Sequence, residues 1–362
     1  MAYTTIDDPS AYFQTALYTG NGGSSTQVVT NDGNSDLQPD WIWLKNRTSA
    51  RWHLLNDSSR GASYNLYINE DDAEDVGGSG GNTTITSFNS DGFTLATDTN
   101  DGGWNEQGDS HVAWQWKING GTTTSFSESG SQIGGNRQVN TTAGISLITY
   151  TGNGSSGSTI PHGLSQTPEY VMVKNRDDAD EWVANGSVLG DYARLHPNAS
   201  SSLATGEGSH DYIKYPDTNS TNLVTGVSHN RSNADGDSYV AWCFHSVQGY
   251  SKIGKYTGNG NADGPFIYTG FKPAWVMWKR TDASESWIIL DSDRNTFNVM
   301  DNYLVPNSNG AEGSADFLDF TSNGIKIRNT FTSSNNSGSN FIYMAFAEHP
   351  FVSSEGVPCT AR

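Results

Sequence analysis

Apolar residues along the chain come in short bursts, and the clearest bursts alternate. In Trp41-Ile42-Trp43-Leu44-Lys45 one side carries Trp41, Trp43 and Lys45 and the other Ile42 and Leu44, because successive side chains of a strand point to opposite faces. Apolar groups on both faces predict a strand lying between a core and a neighbouring surface. Tyr170–Arg176 and Trp275–Arg280 repeat the pattern, each ending in a basic cluster, and Val112–Trp116, Val240–Phe244 and Ile342–Phe346 form a second set of aromatic strands. No long stretch keeps a period of 3.6, so the expected class is all-β with antiparallel pairing.

The bursts recur in a fixed order. Tyr-Thr-Gly-Asn-Gly stands at residues 18–22, 150–154 and 256–260, and each copy is followed by a proline (Pro39, Pro168, Pro273), a basic-ended strand, a glycine (Gly108, Gly236, Gly338) and an aromatic strand. Proline and glycine are separated by 69, 68 and 65 residues, and such constant spacing means one unit present three times. Asp91-Gly92-Phe93-Thr94-Leu95 matches Asn323-Gly324-Ile325-Lys326-Ile327, while the second unit has no clean counterpart. Asn followed by Gly is the preferred chemistry of a tight hairpin turn. Gly20, Asn21 and Gly22, Gly152, Asn153 and Gly154, and Gly258, Asn259 and Gly260 are therefore expected to be structural turns, with Gly22, Gly154 and Gly260 at positive φ. A proline ahead of Trp41, Tyr170 or Trp275 can open a strand without losing a ladder bond.

These elements predict three tandem antiparallel β-sandwich units of jelly-roll type, at residues 1–119, 145–249 and 250–362. Residues 120–144 are rich in Gly, Ser and Thr and read as a flexible or extended linker. On this division the first unit melts by itself, and the second and third, joined without a spacer, melt together.

Composition sharpens the reading. Forty Gly accompany 11 Trp, 16 Tyr and 14 Phe, while charged residues make up only 16%, a mixture suited to short aromatic strands and many turns. A net charge of −19 repels phosphate backbones and anionic lipid headgroups, which argues against nucleic-acid partners. Cys243 and Cys359 stand far apart and offer neither a disulfide framework nor a metal spacing. Residues 1–9 lack a basic region and apolar core, and no apolar run approaches membrane-spanning length, so neither a secretion signal nor membrane insertion is expected.

Candidate chemistry is sparse. The eight histidines show no metal-ligand spacing, and no nucleophile elbow or phosphate loop is present. Acidic loops at residues 70–75, at Asp98 with Asp101 and at Asp235 with Asp237 offer the oxygen ligands that Ca2+ selects, without an EF-hand pattern. Solvated loop charge is the default reading there, with bound Ca2+ as the alternative, and no cofactor is expected. Carboxylate pairs for cleaving a polysaccharide are a second possibility. Trp52 and Trp104 are candidate stacking surfaces for a glycan.

The Tyr-Thr-Gly-Asn-Gly repeat, the strand ending in Lys45-Asn46-Arg47, the Asp91–Leu95 element, the Ala241-Trp242-Cys243 strand and the end Gly356–Arg362 together resemble proteins of tailed phages of marine bacteria, cyanobacterial phages among them. The resemblance covers nearly the whole chain. It implies a virion structural or tail-fibre-like protein on the particle surface, made in the bacterial cytoplasm and without catalytic residues. Its implied partners are other virion proteins and a host surface glycan or receptor. Self-association, with a trimer favoured, is expected because appendage proteins commonly assemble about a closed axis and strand edges need cover.

Overall fold

The computed structural model describes residues 2–23, 25–76, 84–97, 103–206, 208, 212–215 and 217–360. The chain is all-β, and among the described residues every ladder between two strands is antiparallel. Three sheets share one strand order. The first runs Phe13–Thr19, Ser110–Trp116, Trp41–Asn46, Leu54–Asp57 and continues through Gly61–Tyr67 to Asp75–Val76. The second contains Ile145–Thr151, Ser238–Phe244, Tyr170–Asn175 and Val183–Asn185, and the third Ser251–Thr257, Asn340–Pro350, Phe271–Arg280 and Ile288–Asp291. Register agrees as well: Trp43 faces Trp114, Met172 faces Trp242 and Met277 faces Met344.

Both faces of these sheets are covered, as the two-sided apolar pattern requires. One face of each enters a single cluster that joins Trp41, Trp43 and Trp116 to Trp182, Trp242 and Phe244 and to Trp275, Met277 and Phe346. Ring centroids bridge all three sheets: Trp41–Trp242 at 5.9 Å, Trp116–Trp275 at 5.9 Å and Phe244–Phe346 at 6.5 Å. Each opposite face packs on a second sheet with its own core. Ile42 and Leu44 meet Val29 and Phe93, Val171 and Val173 meet Ile160 and Leu223, and Val276 and Trp278 meet Ile267 and Ile325. Burial of one large side chain is worth about 1.5–3 kcal/mol, so the shared aromatic cluster binds the three sheets strongly to one another.

Contacts between neighbouring sheets follow a cyclic pattern. Glu74 N donates to Arg176 O, Leu203 N to Thr281 O and Glu312 N to Arg47 O, at 2.8, 2.8 and 2.9 Å. Trp182 Nε1 donates to Tyr67 O at 3.0 Å and Trp287 Nε1 to His196 O at 3.2 Å. First meets second, second meets third, and third meets first.

Three expectations need correction. Residues 120–144 are no free linker: Thr124–Phe126 and Gly135–Asn140 extend the second sheet beyond Ile145–Thr151. Gln138 also reaches back to Ser58 and Ser59. An independent first unit does not fit the common cluster, because its inner face is packed against the other two. Finally, Pro273 lies inside Phe271–Arg280, at a register shift that absorbs its missing donor; only Pro39 and Pro168 precede their strands. The missing counterpart in the second unit is Asn222–Val224, which pairs with Thr159–Pro161 as Phe93–Leu95 pairs with Gln27–Val29.

Candidate functional site

The triplicated residues build corners. After Thr19, Thr151 or Thr257 the chain crosses to the opposing sheet, so the expected tight hairpin is a crossover; each strand is already paired with its aromatic neighbour. Gly108 N donates to Gly20 O, Gly236 N to Gly152 O and Gly338 N to Gly258 O, at 3.0, 2.9 and 2.9 Å. A Cβ on Gly20 or Gly152 would lie 2.1 Å from a backbone oxygen, and on Gly258 2.4 Å, so close approach of two chains requires glycine there. Gly22, Gly154 and Gly260 have φ of 75°, 66° and 67°, a conformation glycine adopts freely.

Asn21, Asn153 and Asn259 serve through their side chains instead. Asn21 N donates to Asn105 Oδ1 at 2.9 Å and Asn105 Nδ2 returns a bond to Asn21 Oδ1 at 3.0 Å. Asn153 with Asn233 and Asn259 with Asn335 repeat this exchange. The hydroxyls of Tyr18, Tyr150 and Tyr256 donate to the carbonyls of Trp104, Ser232 and Ser334, at 2.7, 2.7 and 2.9 Å. Their rings stack on His111, Tyr239 and Phe341. The three buried asparagines escaped sequence reasoning, although Asn-x-x-Gly precedes every aromatic strand.

The basic strand ends are also used internally. Lys45, Lys174 and Lys279 are fully buried, and their ammonium groups donate to backbone carbonyls such as Arg51 O at 2.7 Å, Asp178 O at 3.1 Å and Arg280 O at 2.6 Å. Burial lowers all three pKa values, Lys45 to about 7 with Arg51 adding repulsion, Lys174 and Lys279 to about 8. At the first–second junction Arg60 pairs with Asp57 at 2.5 Å and Glu74 at 2.7 Å, and Arg176 closes on Glu74 at 2.6 Å. Arg294, Asp291, Glu312 and Arg47 repeat the network at the third–first junction. Leu189 and Leu203 hold the corresponding places at the second–third junction, within or against the apolar cluster.

The glycan candidates separate. Trp52 is 41% exposed, whereas Trp104 is 4% exposed and stacks on Tyr67 at 5.7 Å. Trp104 donates Nε1 to Trp52 O at 3.3 Å, so it supports Trp52 and offers no free face of its own. The acidic loops do not converge. Glu74 is held by two arginines, Asp75 accepts from Tyr67 and Asp237 accepts from Asn175. Asp98 and Asp101 lie outside the described residues. Among the described residues no group of His, Cys, Asp or Glu is arranged to hold a metal ion.

One cleft of about 240 Å³ opens between the first and third sheets, lined by Gln14, Thr15, Asp32, Asp293, Glu348 and His349 among others. Lys272 pairs with Glu348 at 2.7 Å. Asp293 keeps contact with water, yet crowding by the surrounding chain and the Asp291 carboxylate raise its pKa above the usual carboxylate range.

Residues 8–350 match a family described as a domain of unknown function, DUF7483. The chain belongs to this family. Its span runs from before the first strand to the end of the last, so the DUF7483 unit is the whole three-sheet assembly. No curated protein and no solved structure matches the chain.

Proposed function

We propose that this DUF7483 chain is a non-catalytic structural protein of a bacteriophage surface, a tail fibre or capsid decoration that contacts the host. The observation that carries the reading is the division of labour between residues. Those present three times, the Tyr and Asn corners and the buried lysines, are spent on internal bonds. Among the described residues the large aromatic side chains left open to solvent, Trp52, Phe266, Tyr268, Phe297 and Phe331, do not recur from unit to unit. A rigid scaffold with individual loops suits adhesion, since binding residues concentrate on loops held by a stable frame. The phage assignment rests on the family resemblance of the corner and strand residues, and the acidic surface fits a protein that leaves nucleic acid alone.

We read each of the three sheets with the sheet on its opposite face as one jelly-roll-like sandwich, three in tandem. Self-association, with a trimer favoured, would use the outer sheets, because the inner faces are already filled by the chain itself. Mass spectrometry of purified particles tests the reading: the protein is expected among virion components, and its absence would overturn it. A glycan-binding module remains the second reading, favoured by the exposure of Trp52 alone; binding to host envelope glycans that survives Trp52→Ala would refute it. New reducing ends on those glycans would instead show a depolymerase.

A further inference from the structure

The second and third units treat the same sheet edge differently. In the third, Ile327 N donates to Pro265 O at 3.2 Å and Thr269 N to Asn323 O at 3.1 Å. Hydrogen-bonding direction alternates along an antiparallel ladder, so the N–H and C=O groups of Phe266 and Tyr268 point away from Gly324–Ile327. Thr159 and Pro161 hold those places in the second unit, where Thr225 N donates to Ser158 O and His162 N to Thr221 O. There every outward group is used. Thr159 N donates to Ser131 O at 2.8 Å, Ile133 N to Thr159 O at 2.9 Å and Arg137 Nη1 to Pro161 O at 2.9 Å, with Gln132 bridging Thr159 in parallel.

The covering segment belongs to residues 120–144, and the third unit has no such stretch, since a short turn joins Phe244 to Ser251. Among the described residues nothing bonds the outward N–H and C=O of Phe266 or Tyr268. Ile133 enters the second core with Tyr150 and Ile160, whereas no residue before Tyr256 enters the third. Exposed edges are ordinarily guarded by lysine or proline. Ser251–Thr257, the other open edge of this unit, carries Lys252 and Lys255, and Pro161 blocks one donor in the second unit. Phe266–Tyr268 has no guard and shows rings that are 48% and 54% exposed; the first unit has only Val28 and Thr30 at these places. Lys272 and Lys326 pair with Glu348 and Asp263, but neither Lys252 nor Lys255 joins an ion pair among the described residues, on a chain of net charge −19.

We propose that Phe266–Tyr268 accepts an extended segment of another protein, added as a parallel strand in the manner of Ser131–Ile133. Its apolar side chain turns into the third core and its carboxylates meet Lys252 and Lys255. A second copy would offer the same edge, which about a two-fold axis pairs antiparallel, whereas the arrangement already present in the second unit is parallel. Main-chain bonds supply the affinity and side-chain contacts the selectivity. The inference rests on strand pairing and stands whether or not the chain belongs to a virion.

Selection of short random peptides from a displayed library, with the whole chain as bait, tests it. Enriched peptides are expected to carry an apolar residue flanked by Asp or Glu, to bind saturably, and to slow amide exchange at Phe266 and Tyr268. Tyr268→Pro copies Pro161 and removes an outward donor without touching the ladder to Gly324–Ile327; it is expected to weaken binding tenfold or more. Tyr268→Phe, which loses only the surface bond to Tyr3, should bind as wild type. Lys255→Glu is expected to weaken binding several-fold and serves if Tyr268→Pro fails to fold. No enrichment, equal binding by the folded Tyr268→Pro or Lys255→Glu chain, or slowed exchange only elsewhere would overturn the proposal. So would self-association of the wild-type chain that Tyr268→Pro abolishes, which would make a second copy the occupant.

Discussion

Replacing Arg60 with leucine should be among the most damaging single changes available. Its guanidinium is fully buried, bonds Asp57 at 2.5 Å, Glu74 at 2.7 Å and Leu55 O at 3.1 Å, and lies over the Trp242 ring at 5.9 Å. Arg60→Leu leaves the Asp57 carboxylate buried with only turn N–H groups to hold it. Breaking a buried pair from one side costs about 3–5 kcal/mol, whereas an apolar replacement of all partners is often neutral. The second–third junction carries that apolar version in Leu189 and Leu203. The triple variant Asp57→Asn, Arg60→Leu, Glu74→Leu should therefore return to within about 2 kcal/mol of wild type, with Arg176, already 20% exposed, released to water. Equilibrium urea unfolding measures both. A single-variant loss below about 1 kcal/mol, the value of a surface pair, or a triple variant no better than the single, would refute the reasoning.

Other outcomes are expected. Because Lys45 titrates at about 7 when folded and near 10.4 when unfolded, the unfolded chain binds more protons between those values and stability rises with pH. The cost is complete below about 7 and disappears toward 10.4. Urea midpoints should thus increase from pH 7 to pH 9.5, by on the order of 2–3 kcal/mol from this group, and Lys45→Met should flatten the rise; an equal rise in the variant would contradict it. Asn105→Ala, which strips partners from Asn21 N and Oδ1, should cost about 1–3 kcal/mol in the same assay. Trp52→Ala, at a half-open site, should change stability far less than Trp104→Ala, as paired thermal melts would show.

Much of the fold was legible because strands announce themselves locally. Trp41–Lys45 shows its two-faced burial in the alternation alone, and the three Tyr-Thr-Gly-Asn-Gly copies mark strand ends by turn chemistry. Their destination was not legible. Whether a turn folds back or crosses to another sheet depends on which strand already pairs with Phe13–Thr19, a partner nearly a hundred residues away at Ser110–Trp116. The linker reading of residues 120–144 failed for a similar reason: Gln138 and Val139 are weak apolar signals, and their strand is fixed by register with Ile145–Thr151.

The shared core is tested most directly by calorimetry of Gly22→Val and Gly260→Val. Each places a β-branched side chain at positive φ, with its Cβ 2.8 Å from Gln107 in the first unit and 2.9 Å from Ser337 in the third, at a cost on the order of 1–3 kcal/mol. One transition, lowered by either change, is the expected result. Separate transitions, with Gly22→Val lowering only one and leaving the rest where wild type melts, would contradict a core common to the three sheets.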